Sequence, residues 1–198
     1  MRALRRHRVR GQSLVEFALV IPIFFTLLVG VIEFSLALNA VLAVNFASRD
    51  ASLIASEAGN TVGADCAVLR TVQDRIDAPA SDDRIIDVTI YRANTVGQAV
   101  PVGSPQQNVY ARGGSMVCAL PGDPTSTVAF HLVGSAGYPE TTRCNNLAGC
   151  GAGRTLDHIG VDIRYAYSWA TPLKNLVGLN GGGYTIDKSN SMRMEPIL

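Results

Sequence analysis

One long apolar stretch dominates the hydrophobic pattern near the N-terminus. Residues 17–32 carry no charge and include twelve Leu, Ile, Val or Phe side chains. At about −0.3 to −0.6 kcal/mol each, these side chains favour membrane insertion by roughly 4 to 7 kcal/mol. The helix from Glu16 to Glu33 covers roughly 25 Å, close to the hydrocarbon thickness of about 30 Å. The pattern predicts a membrane-spanning helix, with anchor residues Phe17, Pro22, Phe24, Leu28 and Ile32.

Helical periodicity continues beyond the apolar stretch. Small and apolar residues recur at helical spacing between Val44 and Ala58, which predicts a stalk helix that ends at Gly59. A second, amphipathic helix is predicted over residues 64–76, with Asp65 as its N-cap. Its apolar side consists of Val68, Leu69, Val72 and Ile76.

The remaining pattern is typical of strands. Residues 85–91 alternate, which predicts that Ile86, Val88 and Ile90 share the buried face. Further strands are predicted over residues 127–133, 159–169, 184–187 and 191–194. Turn-rich stretches separate them at residues 102–107, 121–126, 136–139 and 145–154. We therefore expect an α+β fold, in which a small antiparallel-sheet domain follows a long N-terminal helix.

Charge is distributed unevenly along the chain. Five arginines lie in the first ten residues, and the chain from Gln12 onward has 12 basic and 16 acidic residues. Basic residues beside a membrane span remain in the cytoplasm, so the N-terminus is predicted inside and residues 60–198 outside. The acidic body would repel phosphate, which argues against a nucleic-acid partner.

Three other interpretations of the apolar stretch compete with a membrane anchor. A buried core helix of a soluble protein fits poorly, because this stretch is apolar all round and follows a basic segment. A secretory signal peptide cleaved near Ala43 or Ala47 is possible, but its apolar region would span only about 7–15 residues. A twin-arginine signal at Arg5 and Arg6 lacks the usual following pattern.

The junction between the basic segment and the helix carries a specific motif. Residues 10–22 read RGQSLVEFALVIP, so that Glu16 is the fifth residue after Gly11. This block resembles the processing site of type IV pilin-like precursors, and most closely the TadE/TadG-like pseudopilins of tight-adherence (Flp-type IVb) pili. A second block, residues 31–34, also resembles that family, and residues 159–196 resemble it more loosely.

The resemblance implies a division of the chain and a function. A basic leader, residues 1–11, would be removed between Gly11 and Gln12 by a prepilin peptidase. Residues 12–59 would form the transmembrane and stalk helix, and residues 60–198 an extracytoplasmic α+β domain. The implied function is that of a minor pseudopilin, a structural or assembly component of a bacterial inner-membrane pilus apparatus. Its partners would be the membrane, other pilus subunits and assembly-platform proteins.

A second function remains open at this point. The alternative is a membrane-tethered extracytoplasmic binding or adhesion domain whose leader is never cleaved. Cleavage after Gly11 distinguishes the two functions.

No catalytic constellation is evident, so we expect neither an enzyme nor a cofactor, metal or small-molecule substrate. His131 and His158 are isolated in sequence, and a surface or hydrogen-bonded core histidine is more common than a metal ligand. The glycines at 181–183 lack the Lys-Ser/Thr of a phosphate loop. Tyr165, Tyr167 and Trp169 form either a core face or an exposed binding face.

Four cysteines suggest disulfide bonds in an extracytoplasmic domain. They are Cys66, Cys118, Cys144 and Cys150. Four cysteines allow three connectivities, free thiols remain possible, and zinc is disfavoured because no Cys-x-x-Cys pair exists. The segment from Cys144 to Cys150 is short enough to close on itself, which leaves Cys66 to pair with Cys118.

Overall fold

A computed structural model describes residues 12–120, 123–148, 150–151, 153–171 and 183–196. The predicted leader with Gly11, and the glycines at 181–182, lie outside the described residues. The chain divides into two compact units. Unit 1 comprises Met1–Leu38 and Ser168–Gly182, and unit 2 comprises Asn39–Tyr167 and Gly183–Leu198.

Two α-helices and five strands form the described fold. Helix α1 spans Gln12–Ala58, and α2 spans Ala64–Arg75. The strands are β1 (Ile85–Ala93), β2 (Gln107–Leu120), β3 (Asp123–Leu132), β4 (His158–Tyr167) and β5 (Tyr184–Arg193). They form one sheet of order β3-β2-β1-β4-β5, in which every neighbouring pair is antiparallel. The predicted α+β class is confirmed.

The second half of α1 contributes a face of small residues to the core of unit 2. Val44, Ala47, Ala51 and Ala55 are fully buried. Ser48, Ser52 and Ser56 are buried with them, and each hydroxyl donates to a carbonyl three residues earlier in the helix. The helix ends where predicted, because Gly59 adopts a left-handed φ of 58° that a residue with a side chain rarely takes.

Helix α2 confirms the predicted apolar face but not the predicted cap. Val68, Leu69, Val72 and Ile76 are buried, and α2 contacts β2 and β3. The N-cap is Gly63, and Asp65 lies inside the first turn, where it is buried. The carboxylate of Glu140 replaces a cap: it accepts the backbone N–H groups of Gly63 and Asp65 at 2.9 and 2.7 Å.

Several strand predictions need correction. Ile86 is 39% exposed, because a register irregularity between Ile85 and Asp87 turns it out of the core. Strand β2 was not predicted. It contains Gly113 and Gly114, both at positive φ, at an irregularity that breaks its alternation. The predicted turn at 121–126 is partly strand, since β3 begins at Asp123. The two short strands predicted near the C-terminus form the single strand β5.

The middle of the chain supplies two strands and a crossover. Strands β2 and β3 extend the sheet on one side of β1, whereas β4 lies on the other side. The connection from Val133 to Asp157 therefore passes from the edge strand β3 to the far side of β1. The residues of this connection that the structure describes form no strand, so other interactions must hold it in place.

Both cysteine pairs favoured from the sequence lie at disulfide distance. Cys66 is bonded to Cys118 and Cys144 to Cys150, with Cα–Cα distances of 5.5 and 5.7 Å. The first bond ties α2 to β2, and the second closes a short loop within the crossover.

The two disulfides are expected to differ in their contribution to stability. In the chain-entropy view, the 52-residue separation of Cys66 and Cys118 gives roughly 4 kcal/mol, against roughly 2 kcal/mol for the 6-residue separation of Cys144 and Cys150. Replacing the first pair with serine should lower the free energy of unfolding by about 2 kcal/mol more than replacing the second. Urea unfolding of the two double variants measures the difference. Equal losses, or four free thiols in a non-reducing peptide map, would contradict this account.

Candidate membrane anchor and assembly site

The apolar part of α1 is exposed along its length. Phe17, Phe24, Leu28 and Ile32 are 65, 57, 41 and 46% exposed, and Pro22 lies inside the helix without ending it. Among the described residues, one helix is long and apolar enough to cross a membrane, and its most apolar window contains no buried residue. The exposed surface is thus long and apolar enough to be accommodated in lipid.

Glu16 lies near the start of this helix, on an apolar surface. Its neighbours Val15 and Phe17 are 58 and 65% exposed. Gln12 is the first helical residue, one helical turn before Glu16. Because residues four apart share a helix face, a positive charge at Gln12 would lie on the side of Glu16. Gly11, the other residue of the predicted processing site, lies outside the described residues.

Glu33 is buried by a segment distant in sequence. Its side chain is 2% exposed, although Val31 and Phe34 are 67 and 71% exposed. Its two carboxylate oxygens accept the backbone N–H groups of Ala170 and Thr171 at 3.1 and 2.7 Å. Hydrogen bonds to a charged acceptor are strong, so this contact holds the segment after β4 against α1 within unit 1.

A buried polar cluster fixes one end of the crossover in unit 2. Asp65 accepts hydrogen bonds from Asn108 and Tyr110, each at 2.7 Å, and pairs with Arg143. All four side chains are buried. The guanidinium of Arg143 also lies over the ring of Tyr138, 5.0 Å from its centroid. Burial, and then the charge of Asp65, raise the pKa of Tyr110, which therefore remains a donor at physiological pH.

A second cluster fixes the other end of the crossover. Asp157 is buried and accepts from the guanidinium of Arg92 at 3.0 Å and that of Arg154 at 2.8 Å. It also accepts the backbone N–H of Cys144 at 2.9 Å and the hydroxyl of Tyr138 at 3.0 Å. Sequence reasoning missed both clusters, because most of the partners are far apart along the chain.

The histidines and aromatic residues considered from the sequence are not gathered into one site. His131 is exposed and its Nδ1 lies 2.6 Å from the carbonyl oxygen of Gly113, whereas His158 begins β4. Tyr165 and Tyr167 are buried, so they pack a core face, and Trp169 lies beyond the end of the strand. Among the described residues, no group of three or more His, Cys, Asp or Glu side chains is arranged to hold a metal.

A groove lies between α1 and α2. It measures about 380 Å³ and is lined by Asp50, Leu53, Ile54, Thr71, Asp74 and Arg75. An ion pair of 2.8 Å joins Arg75 to Asp50, and Arg70 pairs with Asp74 at 3.4 Å. The charged groups of the groove are thus paired with each other or with a neighbour, and its lining defines no substrate.

Three carboxylates meet on neighbouring strands of the sheet. Asp162 lies close to Asp187 on β5 and to Asp87 on β1. Burial raises the pKa of Asp162 to about 7, and its hydrogen bond and charge repulsion with Asp187 add to the shift. The positive charge of Arg164 lowers the pKa of Asp162 in part, but that guanidinium is already paired with Asp87.

This raised pKa predicts how stability changes with pH. The folded chain retains a proton on Asp162 that the unfolded chain loses near pH 4, so stability should fall as pH rises from about 4 to 7. Asp162→Asn should remove this loss and add about 1 to 2 kcal/mol at pH 8, since solvent screening reduces the full value of roughly 4 kcal/mol. Thermal unfolding across pH tests it, with the exposed Asp74→Asn as control. An unchanged pH profile in Asp162→Asn would contradict it.

Taken together, the described residues form an exposed apolar helix that is long enough to cross a membrane, followed by a disulfide-bonded α+β domain. Comparison with known protein families adds a relationship in sequence. Residues 11–53 match the model of the TadE-like protein family, a structural, pilus-associated family. The resemblance seen in the sequence is thus confirmed over these residues, which begin at Gly11 and include Glu16 and Glu33. No curated protein and no solved structure matches the chain.

Proposed function

We propose that this protein is a minor pseudopilin-like component of a Flp-type (tight-adherence) pilus apparatus, matured by a prepilin peptidase. The observation that carries the proposal is the position of the family match, which starts at Gly11. The match therefore begins at the residue after which the leader would be cut. It continues through the exposed apolar helix that would remain in the membrane.

The proposed orientation places residues 1–11 in the cytoplasm and residues 60–198 outside the bacterial inner membrane. The arginine cluster before the helix supports this orientation. The two disulfides support it independently, because such bonds persist in oxidising compartments. Its partners would be the prepilin peptidase, other pseudopilin subunits and assembly-platform proteins.

The test is the mass of the mature chain isolated from its native host. We expect residues 1–11 to be missing, so that the chain begins at Gln12. Gly11→Val should retain the leader, because a bulky residue replaces the glycine at the scissile bond. Gly30→Val is the matched control, since a side chain at this position of α1 meets nothing within 4 Å. A retained Met1 in the unsubstituted chain, or a start near Val44, would refute the proposal.

A second function is favoured by the short range of the family match, which covers the helix but not the sheet domain. The family match ends at residue 53, before the disulfide-bonded sheet begins. In this alternative, the leader is never cleaved and the sheet domain serves as a membrane-tethered binding or adhesion module. Surface binding by a chain that retains residues 1–11 would favour this function over the first.

A further inference from the structure

We propose that the segment from Trp169 to Thr171 contacts the lipid headgroups on the outer side of the membrane, and that Glu33 holds it there. The partner of this surface is thus the lipid bilayer itself. The inference rests on the membrane anchoring included in the proposed function, and it adds a second lipid contact beyond the spanning helix.

The contact of Glu33 fixes the depth of the segment relative to the helix. Both carboxylate oxygens accept backbone N–H groups, from Ala170 and Thr171. Two bonds from consecutive residues hold the segment more firmly than one, and the side chain is almost completely buried by it. Ala170 and Thr171 therefore lie beside Glu33, at the same position along the axis of α1.

That level coincides with the boundary of the hydrocarbon core. The helix between Glu16 and Glu33 is roughly 25 Å long, and the hydrocarbon core is about 30 Å thick. With Glu16 near the inner boundary, Glu33 lies near the outer one. A carboxylate is tolerated far better there than at the bilayer centre, and its two backbone donors replace water.

Trp169 directly precedes the residues that bind Glu33. It is half-buried and is the single tryptophan of the chain. An indole ring is apolar with one polar N–H, and this combination concentrates tryptophan at the headgroup level of membranes. The chemistry of Trp169 therefore suits the depth that the Glu33 contact imposes.

The single tryptophan also permits a direct test. The full-length protein is reconstituted into phosphatidylcholine vesicles in which lipids carry bromine near the carbonyl, at mid-chain or near the terminal methyl. We expect Trp169 fluorescence to be quenched mainly by the shallow bromine. In Glu33→Gln this quenching should be lost and quenching by aqueous iodide should rise, because the amide nitrogen of glutamine cannot accept the second backbone N–H. Glu57→Gln, an exposed position of the same helix, is the matched control and should behave as the unsubstituted chain.

Resistance of each sample to carbonate extraction shows whether the helix is anchored in the membrane, separately from whether Trp169 contacts the headgroups. A carbonate-resistant protein whose tryptophan is quenched by no brominated lipid, or only by deep bromine, would overturn the headgroup contact and leave the anchor intact. Shielding of Trp169 from both lipid and iodide would indicate a protein contact and would likewise overturn it. Unchanged shallow quenching in Glu33→Gln would refute the role of Glu33. Release by carbonate would refute the anchor and the inference with it.

Discussion

Replacing Glu16 with Gln is expected to leave membrane insertion and most leader cleavage intact but to reduce incorporation into the pilus apparatus about tenfold or more. An unpaired carboxylate on the apolar face of a membrane helix is costly, although near the bilayer edge the cost is below the about 2.5 to 3.5 kcal/mol that applies at the centre. Leader removal would create an amine at Gln12, one helical turn from Glu16 and on the same side of α1. That amine, on the same or a neighbouring subunit, would pair with Glu16 only after maturation.

The measurement is the amount of each variant in the sheared pilus fraction relative to the membrane fraction. Intact mass, determined on the same samples, shows whether the leader was removed. Glu57→Gln serves as control because its side chain is exposed near the other end of the same helix. A weaker role for Glu16, a favourable interaction with the helix N-terminus alone, is worth roughly 0.3 to 1 kcal/mol. Wild-type incorporation of Glu16→Gln would therefore exclude the pairing role.

Asp65→Ala is expected to lower the free energy of unfolding by about 3 to 5 kcal/mol, a large loss for a single substitution. The change leaves the buried guanidinium of Arg143 without its countercharge. It also removes the acceptor of Asn108 and Tyr110. Since Arg143 belongs to the crossover, the crossover should detach from α2 and β2.

Urea unfolding of the detergent-solubilised chain, followed by tyrosine near-ultraviolet circular dichroism, measures this loss. Asp74→Ala is the control: it breaks an exposed pair with Arg70 and should change stability by less than about 1 kcal/mol. Asp65→Asn retains an acceptor but not the charge and should fall between the two. If Asp65→Ala were no less stable than Asp74→Ala, the buried pair would not hold the crossover.

Features with a local cause could be predicted from the sequence. The apolar stretch of α1 consists of consecutive residues, the face of α2 repeats at helical spacing, and Cys144 and Cys150 lie close in the chain. Strand β2 could not be predicted, because Gly113 and Gly114 interrupt its alternation at a bulge. Its buried polar residue Asn108 also conceals the pattern.

The roles of the buried acids depend on contacts that the sequence does not display. Asp65 is a residue type that commonly caps helices. In the fold it pairs instead with Arg143, which lies 78 residues away. Glu33 interrupts an apolar stretch, and its partners Ala170 and Thr171 lie 137 and 138 residues away. A carboxylate in an apolar surface signals that a partner is required, but only the fold identifies it.

In the proposed orientation, the strand order would also determine when the sheet domain closes during export. A chain that crosses the membrane from its N-terminal side forms the hairpins of β1, β2 and β3 first, because these strands are neighbours in sequence and in the sheet. Strand β4 then joins β1, but its outer edge stays open until β5 arrives from the last residues of the chain. An incompletely translocated chain thus exposes an unpaired edge bearing Val161, Ile163 and Tyr165, a template for association with other unfinished chains.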